Sequence, residues 1–288
     1  MTRASGTRGA ELSKEGLPGW LDPVARAAET VRPTQLSRFL PPADGAGRQS
    51  AVLILFGDGT RADAGEPMRG GAADPTRAGA ADPMRTGAAD PAPMRAGAAD
   101  PTRAAAGDGP REVREGKTGR GPELLLMERA GSLRSHPGQP AFPGGALDPE
   151  DGDPRGDGPL RAALREAEEE TGLDPAGVQL FGVLPKLYIP VSGFVVTPVL
   201  AWWREPSPVG VVDPGETARV FTVPVADLTD PANRVTTLHP SGHRGPAFLV
   251  ESALVWGFTA GVIDRLLHFA GWERPWDREK QVPLDWRA

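Results

Sequence analysis

The sequence predicts an α+β protein or, more narrowly, an α/β/α sandwich, and three observations carry this. Apolar runs rich in branched residues recur at 50–57 (SAVLILFG), 123–130 (ELLLMERA), 178–185, 194–203 and 218–225, and read as strands. Two substantial helical segments interrupt them: an acidic one at 159–171 and the later part of 247–271 (AFLVESALVWGFTAGVIDRLLHFAG), which begins extended. Each strand or helix face that is apolar must be covered by another element, so a mixture of this kind stacks in layers.

Taken in order, residues 1–17 read as a disordered tail, and residues 18–288 as a single domain. A short helix is predicted from Pro23 to about Val31; proline suits a first helical turn because its missing N–H has no partner there anyway. The first strand, 50–57, runs into an imperfect repeat: GAADPTRA (71–78), GAADPMRT (79–86), GAADPAPMRA (87–96) and GAADPTRA (97–104). A solenoid repeat needs an apolar face to bury. These units offer mainly alanine, so the whole stretch 58–121 is predicted to be a disordered, low-complexity insert. The 37 glycines and 32 prolines of the 288 residues support this, being too many for one compact fold. On this reading 50–57 and 123–130 are neighbouring strands whose connection has swollen, which the logarithmic growth of loop-closure entropy tolerates.

Composition removes several functional classes. A formal net charge of −6 argues against a general nucleic-acid binder. The absence of cysteine excludes disulfides and thiolate metal sites, and fits a reducing cytoplasm. The first residues lack the apolar stretch of a signal peptide, and no apolar run is long enough to span a membrane. A cytoplasmic protein is expected, monomer or homodimer, with a small molecule rather than nucleic acid or membrane as partner.

The chemistry concentrates in RAALREAEEETG (161–172). On a helix Glu166, Glu169 and Glu170 share one face. Leu160, Ala163, Leu164 and Ala167 form an apolar stripe on another, and Gly172 is placed as the C-cap. Glu168 points away from the three. Taken alone, three carboxylates so spaced describe either an ordinary solvated face or oxygen ligands for a hard cation such as Mg²⁺.

The surrounding residues resemble the signature of the Nudix hydrolases, G-x5-E-x7-R-E-U-x-E-E-x-G-U with U aliphatic. Its second half matches from Arg165 to Leu173. Its first half departs: counted from Gly145, the acid position holds Asp151, and 13 residues rather than 7 separate it from Arg165. The segment 152–158 (GDPRGDG) accounts for the expansion and leaves the usual pairing of that acid open. LRSHPGQPAFPGG (133–145), with Arg129 before it and VFTVPV (220–225) and ALVWGFTAGVI (253–263) after it, is similar to the coenzyme A pyrophosphatase branch.

The resemblance implies an α/β/α sandwich with a mixed β-sheet and hydrolysis, with Mg²⁺ or Mn²⁺, of the pyrophosphate bond of coenzyme A or an acyl-CoA. It implies metal ligation by Glu166, Glu169 and Glu170. Glu169, Arg165 and a later loop carboxylate, for which Glu216 is the candidate base, are the catalytic candidates. Arg129, Arg134, His136, Gln139, Gly144 and Gly145 are the substrate-binding candidates. ADP-ribose, dinucleotides or oxidised nucleotides are alternative substrates. A non-catalytic nucleotide sensor, or a tether working through the repeat, are readings of another class.

Overall fold

A computed structural model describes residues 10–59, 121–133, 136–240 and 242–284. The elements are α1 (Asp22–Thr30), α2 (Pro33–Leu36), β1 (Arg48–Gly57), β2 (Glu123–Arg129), β3 (Pro140–Ala141), β4 (Gly144–Ala146), α3 (Gly158–Thr171), β5 (Val178–Val183), β6 (Leu187–Ile189), β7 (Phe194–Trp203), β8 (Thr217–Pro224), α4 (Val225–Thr229), β9 (Arg234–Leu238), β10 (Arg244–Val250), β11 (Ala253–Val255), α5 (Gly257–Phe269) and β12 (Gln281–Pro283).

The main sheet is mixed. β1 lies parallel to β7 on one side. Its other edge is shared by two antiparallel partners, β4 along Ser50–Val52 and β2 at Phe56–Gly57. β8 continues the sheet beyond β2, and β5 and β6 pair with β7.

β1 is apolar on both faces because both are covered. Leu53 and Leu55 join Ala162, Ala163 and Ala167 of α3 in one buried cluster. Ile54 and Phe56 join Val24 of α1 and Val262, Ile263 and Leu266 of α5 in another. A period-2 strand buried on both sides reads as a continuous hydrophobic run, which is the pattern the sequence shows. The α/β/α sandwich follows from these two clusters.

Three features differ from or extend the sequence reading. Residues 10–17, assigned to the tail, instead run beside β5: Ser13 N donates to Leu180 O at 2.8 Å, and Gln179 Nε2 donates to Ser13 O and Glu15 O. The Gln179 amide gives this segment a polar anchor that hydropathy does not register. A second sheet, ordered β11-β10-β9-β12, is anticipated only in the extended start of 247–271. The extended start of 247–271 is broken into a β10–β11 hairpin at Glu251 and Ser252, whose φ values are 49° and 60°. The insert predicted over 58–121 lies, from residue 60 to 120, outside the described residues. The strands that flank it are paired, Phe56 with Leu124 and Gly57 with Glu123. No helix among the described residues is long and apolar enough to cross a membrane.

Candidate active site

The site is built on α3 where it crosses β4. Ala162, Ala163 and Ala167 are buried to the last atom against the sheet, which lets the helix approach closely. Gly172 ends it in the left-handed region at φ 69°, its N–H donating to Glu168 O. Glu168 is exposed, as its angular position requires.

Two glycines make room for two of the glutamates. Gly144, at φ 156°, lies so close to β1 that a Cβ would stand 2.3 Å from Ala51 O; its N–H donates to Glu170 Oε2 at 2.9 Å. A Cβ on Gly145 would fall 2.4 Å from the Glu166 carboxylate, which therefore fills the place a side chain would take. The sequence reading put these glycines against substrate. In the structure they serve the carboxylates, one by hydrogen bond and one by vacancy.

Arg165 is the hub. Its Nε and Nη2 donate to the two Asp151 oxygens at 3.2 and 2.9 Å, and Nη2 also to Ala146 O. Nη1 donates to Glu166 Oε1 and Glu169 Oε2, each at 3.0 Å, and Asp148 lies 3.6 Å away. The Asp151–Arg165 pairing left open by the expanded loop is thus made, and it is bidentate, the strong form of this contact. Asp148 was missed in the sequence. The sequence signal is the spacing D-P-E-D at 148–151, which folds as a capping box over the 3-10 turn Pro149–Asp151, with Asp148 N donating to Asp151 Oδ2.

Electrostatics follow from this crowding. Burial works to raise the Asp151 carboxyl, but the Arg165 and Asp148 hydrogen bonds and the Arg165 and Arg161 charges outweigh it and hold it below its usual value. Hydrogen bonding to Asp151 raises Arg165. Burial raises Glu166 despite Arg165. Burial, helped by the Glu166 and Glu216 charges, pushes Glu170 up to about 7 against the Gly144 N–H and Arg129.

Those last influences locate two further candidates. Arg129, at the end of β2, and Glu216, exposed before β8, are near enough to act on Glu170. Glu216 O accepts from Ala130 N at 2.8 Å. Arg129 Nε is buried with no hydrogen-bond partner among the described residues. His136 sits at φ 54°, with its O accepting from Gln139 N. The Gln139 amide turns toward α5, its Nε2 2.9 Å from where a Cβ of Gly257 would stand. Arg134 lies outside the described residues. A cavity of about 420 Å³ lined by Trp20, Pro23, Pro122, Val225, Ala226, Thr229 and Trp272 contains none of these groups.

The donor set fits a hard divalent cation. All three candidate ligands are carboxylates. Glu170 is 8% exposed, and Glu166 nests over Gly145. Among the described residues no three such groups are closed into a cage. Glu166 and Glu169 both meet Arg165 Nη1, which offsets part of their mutual repulsion.

Comparisons with known proteins point to one family. The family model described as NUDIX domain matches residues 113–239. A protein of Enterobacter sp. (strain 638) named as an uncharacterized Nudix hydrolase NudL is 39% identical over 160 residues, covering 50% of this chain and 73% of its own. Its namesake in Escherichia coli (strain K12) is 38% identical over the same length and shares. Among solved structures, the Nudix hydrolase RenU of M. smegmatis is similar at 18% identity and a TM-score of 0.37, covering 81% of this chain and 95% of that one.

Proposed function

The chain belongs to the Nudix hydrolase family and is a hydrolase, and from that premise we propose that it cleaves the pyrophosphate bond of coenzyme A or an acyl-CoA with Mg²⁺ or Mn²⁺ held by Glu166, Glu169 and Glu170. The observation that carries the metal part is the buried Glu170 carboxylate on the Gly144 N–H, with Glu166 seated over Gly145. The substrate part is supported by LRSHPGQPAFPGG, which goes beyond the general signature.

A bound cation supplies neutralisation of the diphosphate charge and acidification of a water. Arg165, fixed by Asp151, orients Glu166 and Glu169. Glu216 takes the proton of the attacking water, from a loop whose carbonyl is tied to Ala130 N. Water adds to one phosphorus, and the bridging oxygen leaves with the other. The products are 4′-phosphopantetheine, or its acylated form, and 3′,5′-adenosine bisphosphate. Arg129 and Arg134 receive the adenosine 3′-phosphate, for which the guanidinium fork is suited. His136 contributes at the same loop.

The test is a substrate panel with Mg²⁺ and product masses as the readout. Coenzyme A is expected to exceed dephospho-coenzyme A by about 10- to 100-fold in kcat/KM, the worth of a charge-assisted hydrogen bond. ADP-ribose, dinucleotides and oxidised nucleotides should rank below both. ADP-ribose emerging as the best substrate would overturn the coenzyme A reading and leave the family assignment intact.

A further inference from the structure

The chain carries six more residues between Asp151 and Arg165 than the family signature allots, yet the two meet at 2.9 and 3.2 Å. The loop manages this by closing on itself. Asp153 O accepts from Gly156 N at 3.0 Å and Gly158 N at 3.1 Å, and Asp153 Oδ1 from Arg155 N at 2.8 Å. A Cβ at 158 would stand 2.6 Å from Asp153 O, so glycine lets the two ends touch. Lys186 Nζ ties the outer bend down by donating to Pro154 O at 2.9 Å.

Arg161 holds the base of the loop from α3. Its Nε donates to Asp151 O at 2.6 Å. Its Nη1 lies 3.9 Å from Asp157 Oδ2, at the other end of the loop. Its Nη2 stands 2.7 Å from where a Cβ of Gly152 would be, and Gly152 has φ 94°. One guanidinium thus grips both ends of the expansion, and Gly152 is the residue type that leaves it space.

We propose that Arg161 is a positioning residue: it closes the 152–157 loop and thereby returns Asp151 to Arg165, which commits the Nε and Nη2 of that arginine to Asp151 and leaves only Nη1 to the glutamates. Asp151 and Arg165 belong to the family's framework; the clamp answers this chain's own expansion. Without it Asp151 drifts, and the whole Arg165 guanidinium, rather than Nη1 alone, is left to Glu166 and Glu169, where it competes with a cation. Only this last consequence rests on the metal reading above.

Two readouts test the clamp in the full-length protein, on Arg161→Ala, Arg161→Lys, Asp151→Ala and the double variant Arg161→Ala/Asp151→Ala. The first is solvent exchange of the Arg165 Nε–H, followed by side-chain ¹⁵N NMR and assigned by its loss in Arg165→Lys. Arg161→Ala should speed exchange by about tenfold, the worth of one hydrogen bond to a charged group, with Arg161→Lys between it and wild type. The second is titration with Mn²⁺ alone by calorimetry, where Arg161→Ala should bind about tenfold more weakly, the lower end for groups behind metal ligands. In both, the double variant should match Asp151→Ala, because Arg161 acts through Asp151. Unchanged exchange in Arg161→Ala, or effects that add in the double variant, would overturn the proposal. Faster exchange in a protein whose wild type takes up no Mn²⁺ would uphold the clamp and sink the cation reading.

Discussion

Two arginines organise this molecule in opposite ways. Arg165 is 25% exposed and touches four carboxylates, those of Asp148, Asp151, Glu166 and Glu169. Arg234 is 1% exposed; it meets Asp264 and lies between the rings of Phe248 and Trp276, 4.7 and 4.6 Å from their centroids. Its Nε and Nη1 have no hydrogen-bond partner among the described residues, and the rings stand in for acceptors through their π faces. Asp264, from α5, meets both Arg234 and Arg265, which ties the second sheet to the helix. Around Arg165 the acids outnumber the base, and the surplus sits on a partly open face. A buried, dry ion pair holds a structure together; an acid-rich, partly open cluster is left with charge that a cation can satisfy.

Perturbing each centre should separate the two roles. The largest effect is expected from Asp264→Ala, which takes from buried Arg234 the carboxylate it is hydrogen-bonded to. Its unfolding free energy in denaturant should fall by about 3–5 kcal/mol, while kcat/KM of the folded fraction stays at the wild-type value. An unmoved denaturation midpoint would show that the pair pins nothing.

Glu170→Gln should do the reverse. Turnover is expected to drop about 100- to 1,000-fold, or about 3–4 kcal/mol of transition-state stabilisation, with cation-free thermal stability preserved or raised. Wild-type turnover in this variant would remove Glu170 from the metal site.

A third effect is a pH dependence confined to the acidic cluster. Burial raises the Glu170 carboxyl from 4.5 when unfolded to about 7 when folded. Between those values the folded chain keeps a proton that the unfolded chain has released. Cation-free stability should therefore decline as pH rises from about 4.5 through 7, by on the order of 3 kcal/mol in all. Glu166, also raised by burial, acts in the same direction. Denaturation with a chelator at pH 5 and pH 8 measures the decline. Glu170→Gln should flatten it, and Mn²⁺ at about 100 times its Kd should restore about 2.7 kcal/mol at pH 8. A slope equal in wild type and variant would place the titration elsewhere. The smallest effect is expected from Trp276→Leu, which removes one ring from Arg234 and should cost about 1–2 kcal/mol of stability with turnover unchanged.

By itself the sequence determined what periodicity can encode. Apolar runs at 50–57, 123–130 and 194–203 became β1, β2 and β7. The i, i+3, i+4 spacing of Glu166, Glu169 and Glu170 put them on one side of α3, and Gly172 capped it. Such features are local: a side chain's face is fixed by its position within a few residues on the same helix or strand. The tertiary structure decided the rest. It returned Asp151 to Arg165 across the expanded loop, through carbonyls of Asp151, Asp153 and Pro154 that any residue type could have offered. It turned Glu169 to Arg165 and Gln139 to Gly257. It paired RVTTL (234–238) with β10 and β12, a strand too short and too polar to announce itself, whose buried Thr236 and Thr237 donate their hydroxyls to Arg278 O and Gly245 O. Backbone acceptors and long-range neighbours leave no mark on composition or period, so these contacts exist only once the chain has folded.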